Sequence, residues 1–398
     1  MGCVPTPPPA ATSALVPPTA TPAPTATPAP SAAPSPTATP TPLGTGPLHT
    51  EGGAIVDAGG RTVRLTGVNW SGMETSGFAP IGLQARNIDD MLDQIRAAGF
   101  NTIRLPFSNQ LLDLSIKHPR INFALNPQLQ GRNGLGLLDY IVDGAGRRGL
   151  RVILDRHHPS ADEEPELWYT AKVPEQRWID DWTMLARRYK GNPAVVGADL
   201  SNEPHGAATW GDDNLATDWR LAAERAGNAI LDVNPDWLIM VEGVQHVGAD
   251  TYWWGGNLSA VAEAPVRLSR PQQLVYSAHD YGPHESWQTW FAPPAFPQDL
   301  SGVWQEHWAY LQESGVAPVL VGEFGGPSLG SDADGIWQRS LISFLQQEGF
   351  SYTYWVWNPD AWIGGLLVDD RGTLDQSKMK LLQSTQAPPL GEPLAGAR

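Results

Sequence analysis

Two short stretches of this chain each set a carboxylate where it could do chemistry. Residues 195–206 read Val-Val-Gly-Ala-Asp-Leu-Ser-Asn-Glu-Pro-His-Gly. The apolar run suits a buried strand, and it breaks at Asn202-Glu203-Pro204, where proline removes a ladder donor. Residues 317–326, Ala-Pro-Val-Leu-Val-Gly-Glu-Phe-Gly-Gly, repeat the design with Glu323 at the end of the run. Either acid alone reads more readily as a solvated loop residue; at matching strand ends they make a pair. One carboxylic acid to protonate a leaving oxygen and one carboxylate to attack, or to activate water, is the equipment for cleaving a glycosidic bond.

Such a pair needs strands to hold it. Apolar runs mark eight: 65–70, 101–107, 151–157, 195–202, 238–244, 274–281, 318–324 and 352–358. Between most of them lie stretches of helical period, at 88–98, 136–149, 178–189, 217–233 and 335–347. Eight alternating units predict an α/β fold, a closed (β/α)8 TIM barrel, whose active sites lie at the C-terminal strand ends. No Gly-rich phosphate turn follows the first strand, which argues against an open doubly wound sheet.

Polar and aromatic residues cluster at those ends: Asn69 and Trp70, Arg104, His157 and His158, Asn202 and Glu203, Glu242, His279 and Tyr281, Glu323, Trp355 and Trp357. Alternation puts His279 with Tyr281, and Trp355 with Trp357, on shared faces. It turns Asp280 toward the helices and favours His157 over His158 as the inward ring. Asn202 and Glu203 are adjacent, so both reach the mouth only where the strand has ended or bulges.

The first 50 of 398 residues contain no Lys, Arg, Asp or Glu, and residues 4 to about 47 are almost wholly Pro, Thr, Ala and Ser. Such a segment has too little to bury and is expected to be a disordered, extended stalk over 1–47. A barrel domain is expected over 48–386, opening with a β-hairpin at 54–65, and a C-terminal tail over 387–398. The net charge of −16 argues against nucleic acid or an anionic membrane as partner. No run is long and apolar enough to span a bilayer. Gly2-Cys3 resembles the end of a bacterial lipoprotein signal, so a lipid anchor on Cys3 is one expectation for the native form. His-x-His is missing from the first strand end, which reads Val68-Asn69-Trp70, and no metal site is expected.

Six motifs together resemble glycoside hydrolase family 5, and within it the bacterial cellulases. They are Asn202-Glu203-Pro204, Gly322-Glu323-Phe324-Gly325, Ile103-Arg104-Leu105-Pro106, Leu154-Asp155-Arg156-His157, Ser277-Ala278-His279-Asp280-Tyr281 and Tyr354-Trp355-Val356-Trp357-Asn358-Pro359. The resemblance implies a retaining endo-β-1,4-glucanase with Glu203 as acid/base and Glu323 as nucleophile. It implies that Asn202 holds the sugar 2-hydroxyl and that Arg104 aims Glu323. His157, His279 and Tyr281 would line the subsite of the cleaved sugar and Trp355 would be its stacking floor. Asn69 and Trp70 join them as substrate-binding or supporting residues. Neither metal nor organic cofactor is implied; the partner is a β-glucan, and a monomer outside the cell, secreted or surface-tethered, is expected. Another β-glycan (mannan, xyloglucan or mixed-linkage glucan) is the alternative substrate, and an inactive carbohydrate-binding barrel the alternative class. His158 stands where relatives often have Arg, Gln84 where they can have an aromatic, and their cysteine pairs are missing.

Overall fold

Eight parallel strands close on themselves in the computed structural model, which describes residues 1–3, 44, 46–113 and 115–391. Residues 4–43, the body of the expected stalk, lie outside the described residues. A hairpin of β1 (His49–Glu51) and β2 (Ala54–Val56) precedes β3 (Thr66–Asn69), β4 (Thr102–Ser108), β5 (Arg151–His158), β6 (Val195–Asp199) and β7 (Leu238–Glu242). A small pair, β8 (His246–Val247) and β9 (Asp250–Thr251), intervenes before β10 (Leu274–His279), β11 (Val319–Glu323) and β12 (Ser351–Tyr354). The ring runs in chain order, with β7 pairing β10 and β12 pairing back onto β3. All eight expected strands are therefore present, as a (β/α)8 barrel.

The helices are α1 (Ile88–Ala97), α2 (Gly134–Arg147), α3 (Glu175–Arg188), α4 (Trp219–Val233), α5 (Leu300–Trp304), α6 (Tyr310–Glu313), α7 (Ala333–Glu348) and α8 (Gln376–Gln383). A π-helical turn, Gln305–Ala309, joins α5 to α6. Local chemistry sets their bounds. The side chains of Asn87, Asn133, Asp218, Asp332 and Asp375 each accept a backbone N–H of the first turn that they cap. Gly349 ends α7 in the left-handed conformation at φ 73°, which a residue with a Cβ disfavours. The buried face of α1, Ile88, Met91, Leu92 and Ile95, has the i, i+3, i+4, i+7 spacing of one helical stripe.

The N-terminal end of the barrel is plugged by the segments that flank it in the sequence. Leu48 and Ile55 of the hairpin region pack with Val63, Leu65 and Leu390 onto Ile153, Leu238, Met240, Val275 and Leu320. Two boundaries change in consequence. The chain beyond 386 is part of the barrel through Gly391: Ala387 N–H donates to Thr66 Oγ1 at 3.0 Å, Asn101 Nδ2 to the Pro388 carbonyl at 3.2 Å, and Leu390 is fully buried. Gly44 joins it at the other end, donating to Asp57 Oδ2 and accepting from Arg151 Nη2, both at 3.0 Å. The hairpin is also shifted from the expected 54–65. Its ladder pairs 49–51 with 54–56, and Thr62 contributes only an isolated bridge to Val56.

Candidate active site

At the C-terminal end of the barrel a cleft of about 530 Å³ is lined by Glu203 and Glu323 together with His157, Asn202, Tyr281 and Trp355. The strand that carries Glu203 stops at Asp199, three residues earlier than the apolar run suggests. The chain then turns, Asn202 N–H donating to the Arg156 carbonyl at 3.1 Å, and Glu203 adopts φ 49°. Adjacent Asn202 and Glu203 both reach the mouth in this way. Glu323 is the last residue of β11, and a register shift between Ala278 and His279 sets His279 opposite it. A carboxylate oxygen of Glu203, one of Glu323 and a ring nitrogen of His279 lie within 4.8 Å of one another.

The two acids have different donors. Glu323 Oε1 accepts from Arg104 Nη1 at 2.6 Å and Oε2 from the Tyr281 hydroxyl at 2.8 Å. Glu203 Oε1 accepts from His279 Nδ1 at 2.8 Å. Burial pushes both carboxyls above the ordinary range. His279 and Arg104 pull Glu323 back toward ionisation, whereas on Glu203 only His279 does so among the larger influences. Burial disfavours the His279 imidazolium, yet Glu242, Glu323 and its bond to Glu203 raise its pKa well above the usual value. Glu203 and His279 thus share a hydrogen-bonded proton, and the Glu323 carboxyl, drawn toward ionisation by His279 and Arg104, still stays raised to about 7.

Arg104 is the hub beneath this pair and is fully buried. Its Nε donates to Asp199 Oδ2 at 2.9 Å, its Nη1 to Asn69 Oδ1 at 3.0 Å, and its Nη2 to Glu242 Oε1 at 3.1 Å and to Asn202 Oδ1 at 3.2 Å. Asp155 Oδ2 lies 3.1 Å from Nη1. Because Asn202 spends its carbonyl oxygen on Arg104, its amide nitrogen is turned away from that contact and is available as a donor to a sugar. Asp155 Oδ2 also receives His157 Nδ1 at 2.7 Å, which leaves His157 Nε2 without the proton. Burial lowers the His157 pKa against the pull of Asp155, so the ring is neutral and Nε2 is an acceptor. Burial opposes ionisation of Asp155, but Arg104 and His157 hold it below the usual range; burial prevails at Asp199, which keeps its proton.

Trp355 stacks on His157 with centroids 5.3 Å apart and planes 12° from parallel, an aromatic floor beside Glu323. Three expectations are corrected here, for Trp357, Trp70 and His279, and that for Asn69 narrows to a supporting role. Trp357 does not share the face of Trp355: β12 ends at Tyr354, alternation lapses, and Trp357 is buried edge-on against Phe100. Trp70 is a core residue whose indole N–H reaches the Ile81 carbonyl at 3.0 Å, outside the cleft. Asn69 is buried below the cleft, donating to the Gly322 and Thr353 carbonyls at 3.0 and 3.1 Å while it steadies Arg104. His279 is fully buried and does not line the cleft; it acts from beneath, bonded to Glu203 and 3.8 Å from Glu323 Oε2. Asp280 points to the helices as expected, accepting Trp337 Nε1 of α7 at 2.9 Å.

The model of the cellulase family, glycosyl hydrolase family 5, matches residues 56–361. The chain belongs to that family. An endoglucanase of Paenibacillus polymyxa is 50% identical over 348 residues, 86% of this chain and 88% of the relative. The major extracellular endoglucanase of Xanthomonas campestris pv. campestris is 41% identical over 337 residues, 83% of this chain and 69% of the relative. Among solved structures, the hyperthermophilic endocellulase of the archaeon Pyrococcus horikoshii superposes with a TM-score of 0.81 at 38% identity, covering 87% of this chain and all of that one. That endocellulase has also been solved with cellotetraose.

In this family 5 barrel the cleft has further walls that motif reading did not single out. Glu164, Gln245, Glu285, Asp360 and Trp362 line it from loops whose composition carries no strand-end signal. Trp254 lines it too, whereas Trp168 and Trp210 are buried in the core. Asp199 was recoverable in principle: it stands inside an apolar run at a position whose alternation faces the barrel axis.

Proposed function

We propose that the chain is a retaining endo-β-1,4-glucanase acting on cellulose and related β-glucans, with Glu323 as nucleophile and Glu203 as acid/base. The observation that carries this reading is the approach of the two carboxyls to within 4.8 Å, each with its own set of donors. That closeness suits direct attack rather than insertion of a water, which needs roughly 6.5–9.5 Å. Glu323 forms a bond to the anomeric carbon as the glycosidic bond breaks, and the proton on Glu203 passes to the departing oxygen. Glu203, now ionised, takes a proton from water; the hydroxyl attacks the anomeric carbon, Glu323 leaves, and the β-configured sugar is released. Arg104 and Tyr281 keep Glu323 aimed, Arg104 also drawing it toward ionisation, while Asn202 donates to the sugar and Trp355 stacks beneath it. Insoluble polymer does not cross membranes, so we place the enzyme outside the cell.

Wild type and Glu323→Gln, assayed on carboxymethylcellulose, barley β-glucan, xyloglucan and mannan, test this. Rapid viscosity loss on the glucans by wild type alone, with β-anomer formed first, is expected. Activity confined to mannan or xyloglucan would replace the substrate, and an α-anomer as first product would overturn the mechanism.

A further inference from the structure

We propose that His205 is a positioning residue for Glu203, and that it ties this carboxyl to Trp254, an aromatic platform for the sugar on the leaving-group side. The inference rests on the reading of Glu203 as acid/base. Glu203 sits at φ 49°, a region non-glycine residues rarely occupy, and needs neighbours that hold it there. Its N–H donates to Glu242 Oε2 at 2.7 Å and its carbonyl oxygen lies 2.7 Å from His205 Nδ1. A carbonyl only accepts, so Nδ1 carries the proton and His205 closes a short ring around the strained residue. The following backbone is pinned as well: His205 N–H donates to the Glu166 carbonyl at 3.1 Å and Gly206 N–H to Gln245 Oε1 at 3.1 Å.

The His205 ring is buried, and Trp254 lies on it with centroids 3.7 Å apart and planes 5° from parallel. Trp254 itself is 38% exposed and lines the cleft with Glu203 and Gln245. Gly255, at φ 65°, lets this loop press on the acid: a Cβ there would come within 2.3 Å of Glu242 Oε2 and 3.3 Å of Glu203 Cα. In the ring of eight strands β6, which leads to Glu203 and His205, is four places from β12, which leads to Trp355. The Trp254 face therefore stands across the mouth from the Trp355 floor, where the departing sugar must lie once Glu203 protonates its oxygen. A sugar resting on Trp254 presses on His205, and His205 holds the backbone from which the acid reaches.

Aryl β-cellobiosides of the full-length enzyme test this, because a dinitrophenolate departs without protonation and a phenolate does not. His205→Ala is expected to lower kcat/KM on the phenyl substrate by about 10–100-fold and on the dinitrophenyl substrate by less than about threefold. His205→Asn, whose amide nitrogen can take the place of Nδ1, restores most of the phenyl rate. Trp254→Ala raises KM for cellotetraose and cellopentaose more than it lowers kcat. Equal losses on both aryl substrates, or no loss on either, overturn the inference. Glu203→Ala is the control: with a steep leaving-group dependence there and none in His205→Ala, only this inference fails, and with none in Glu203→Ala the acid/base reading fails. Should the alanine variant not fold, His205→Gln, which keeps bulk but displaces the donor, is read by the same ratio.

Discussion

Replacing Glu74 by Gln removes a charge that the fold resists. Glu74 is 4% exposed, and both its oxygens accept the Gly72 N–H, at 2.9 and 2.7 Å. Burial pushes its carboxyl up from 4.5 to about 7 in spite of those bonds and of nearby His158. Below pH 4.5 the folded and unfolded chains both carry the proton. Between 4.5 and about 7 the unfolded chain has lost it and the folded chain has not, so stability falls as pH rises and levels off above 7. At about 1.4 kcal/mol per pH unit, the loss from this group amounts to roughly 3 kcal/mol by pH 8. Gln is neutral throughout. Denaturant unfolding of both proteins at pH 5 and pH 8 measures it: the variant should gain about 2–3 kcal/mol on wild type between the two. Any fixed packing cost of the amide cancels in that difference. A gap between the proteins that is the same at both pH values would refute the reasoning.

Other perturbations separate support from chemistry. Arg104→Met leaves four buried acids facing one another and should cost about 3–5 kcal/mol with loss of turnover; thermal unfolding and reducing-end release check it, and wild-type values in both would sink it. Leu390→Ala should destabilise by about 2–4 kcal/mol while kcat holds, since the plug lies at the opposite end of the barrel from the cleft. Trp357→Ala should cost about 3–5 kcal/mol of folding energy, whereas Trp355→Ala should fold and lose turnover; melting curves beside glucanase assays tell the two apart.

The barrel was legible because each strand is a buried apolar run ending in chemistry, and the acids because proline or glycine follows them. What was not legible has physical causes. Strand limits slipped where polar residues continue an apolar run, as at Leu200–Asn202 and after Tyr354, and with them went the alternation that paired Trp357 with Trp355. The segment 300–313 has a π turn in its middle, which breaks the helical period. Leu390 stands in a tail rich in Pro, Ala and Gly, with no periodicity to mark it as core. Of the 17 Trp, nine are fully buried and only a few face the cleft, so their number mostly measures core volume. Arg104 was visible as a residue; that it gathers Asp155, Asp199, Glu242 and Glu323 needed the closed ring.

That gathering divides the molecule into parts that can and cannot change separately. One guanidinium on β4 contacts side chains from β3, β5, β6, β7 and β11, so six strands share a single fixed point. The outer cleft walls, Glu285 and Trp362 among them, sit on loops that make none of these contacts. Loops can therefore be exchanged or lengthened to suit a new polysaccharide while the reacting groups keep their places, whereas a change to any spoke of the hub is felt at once by all the others.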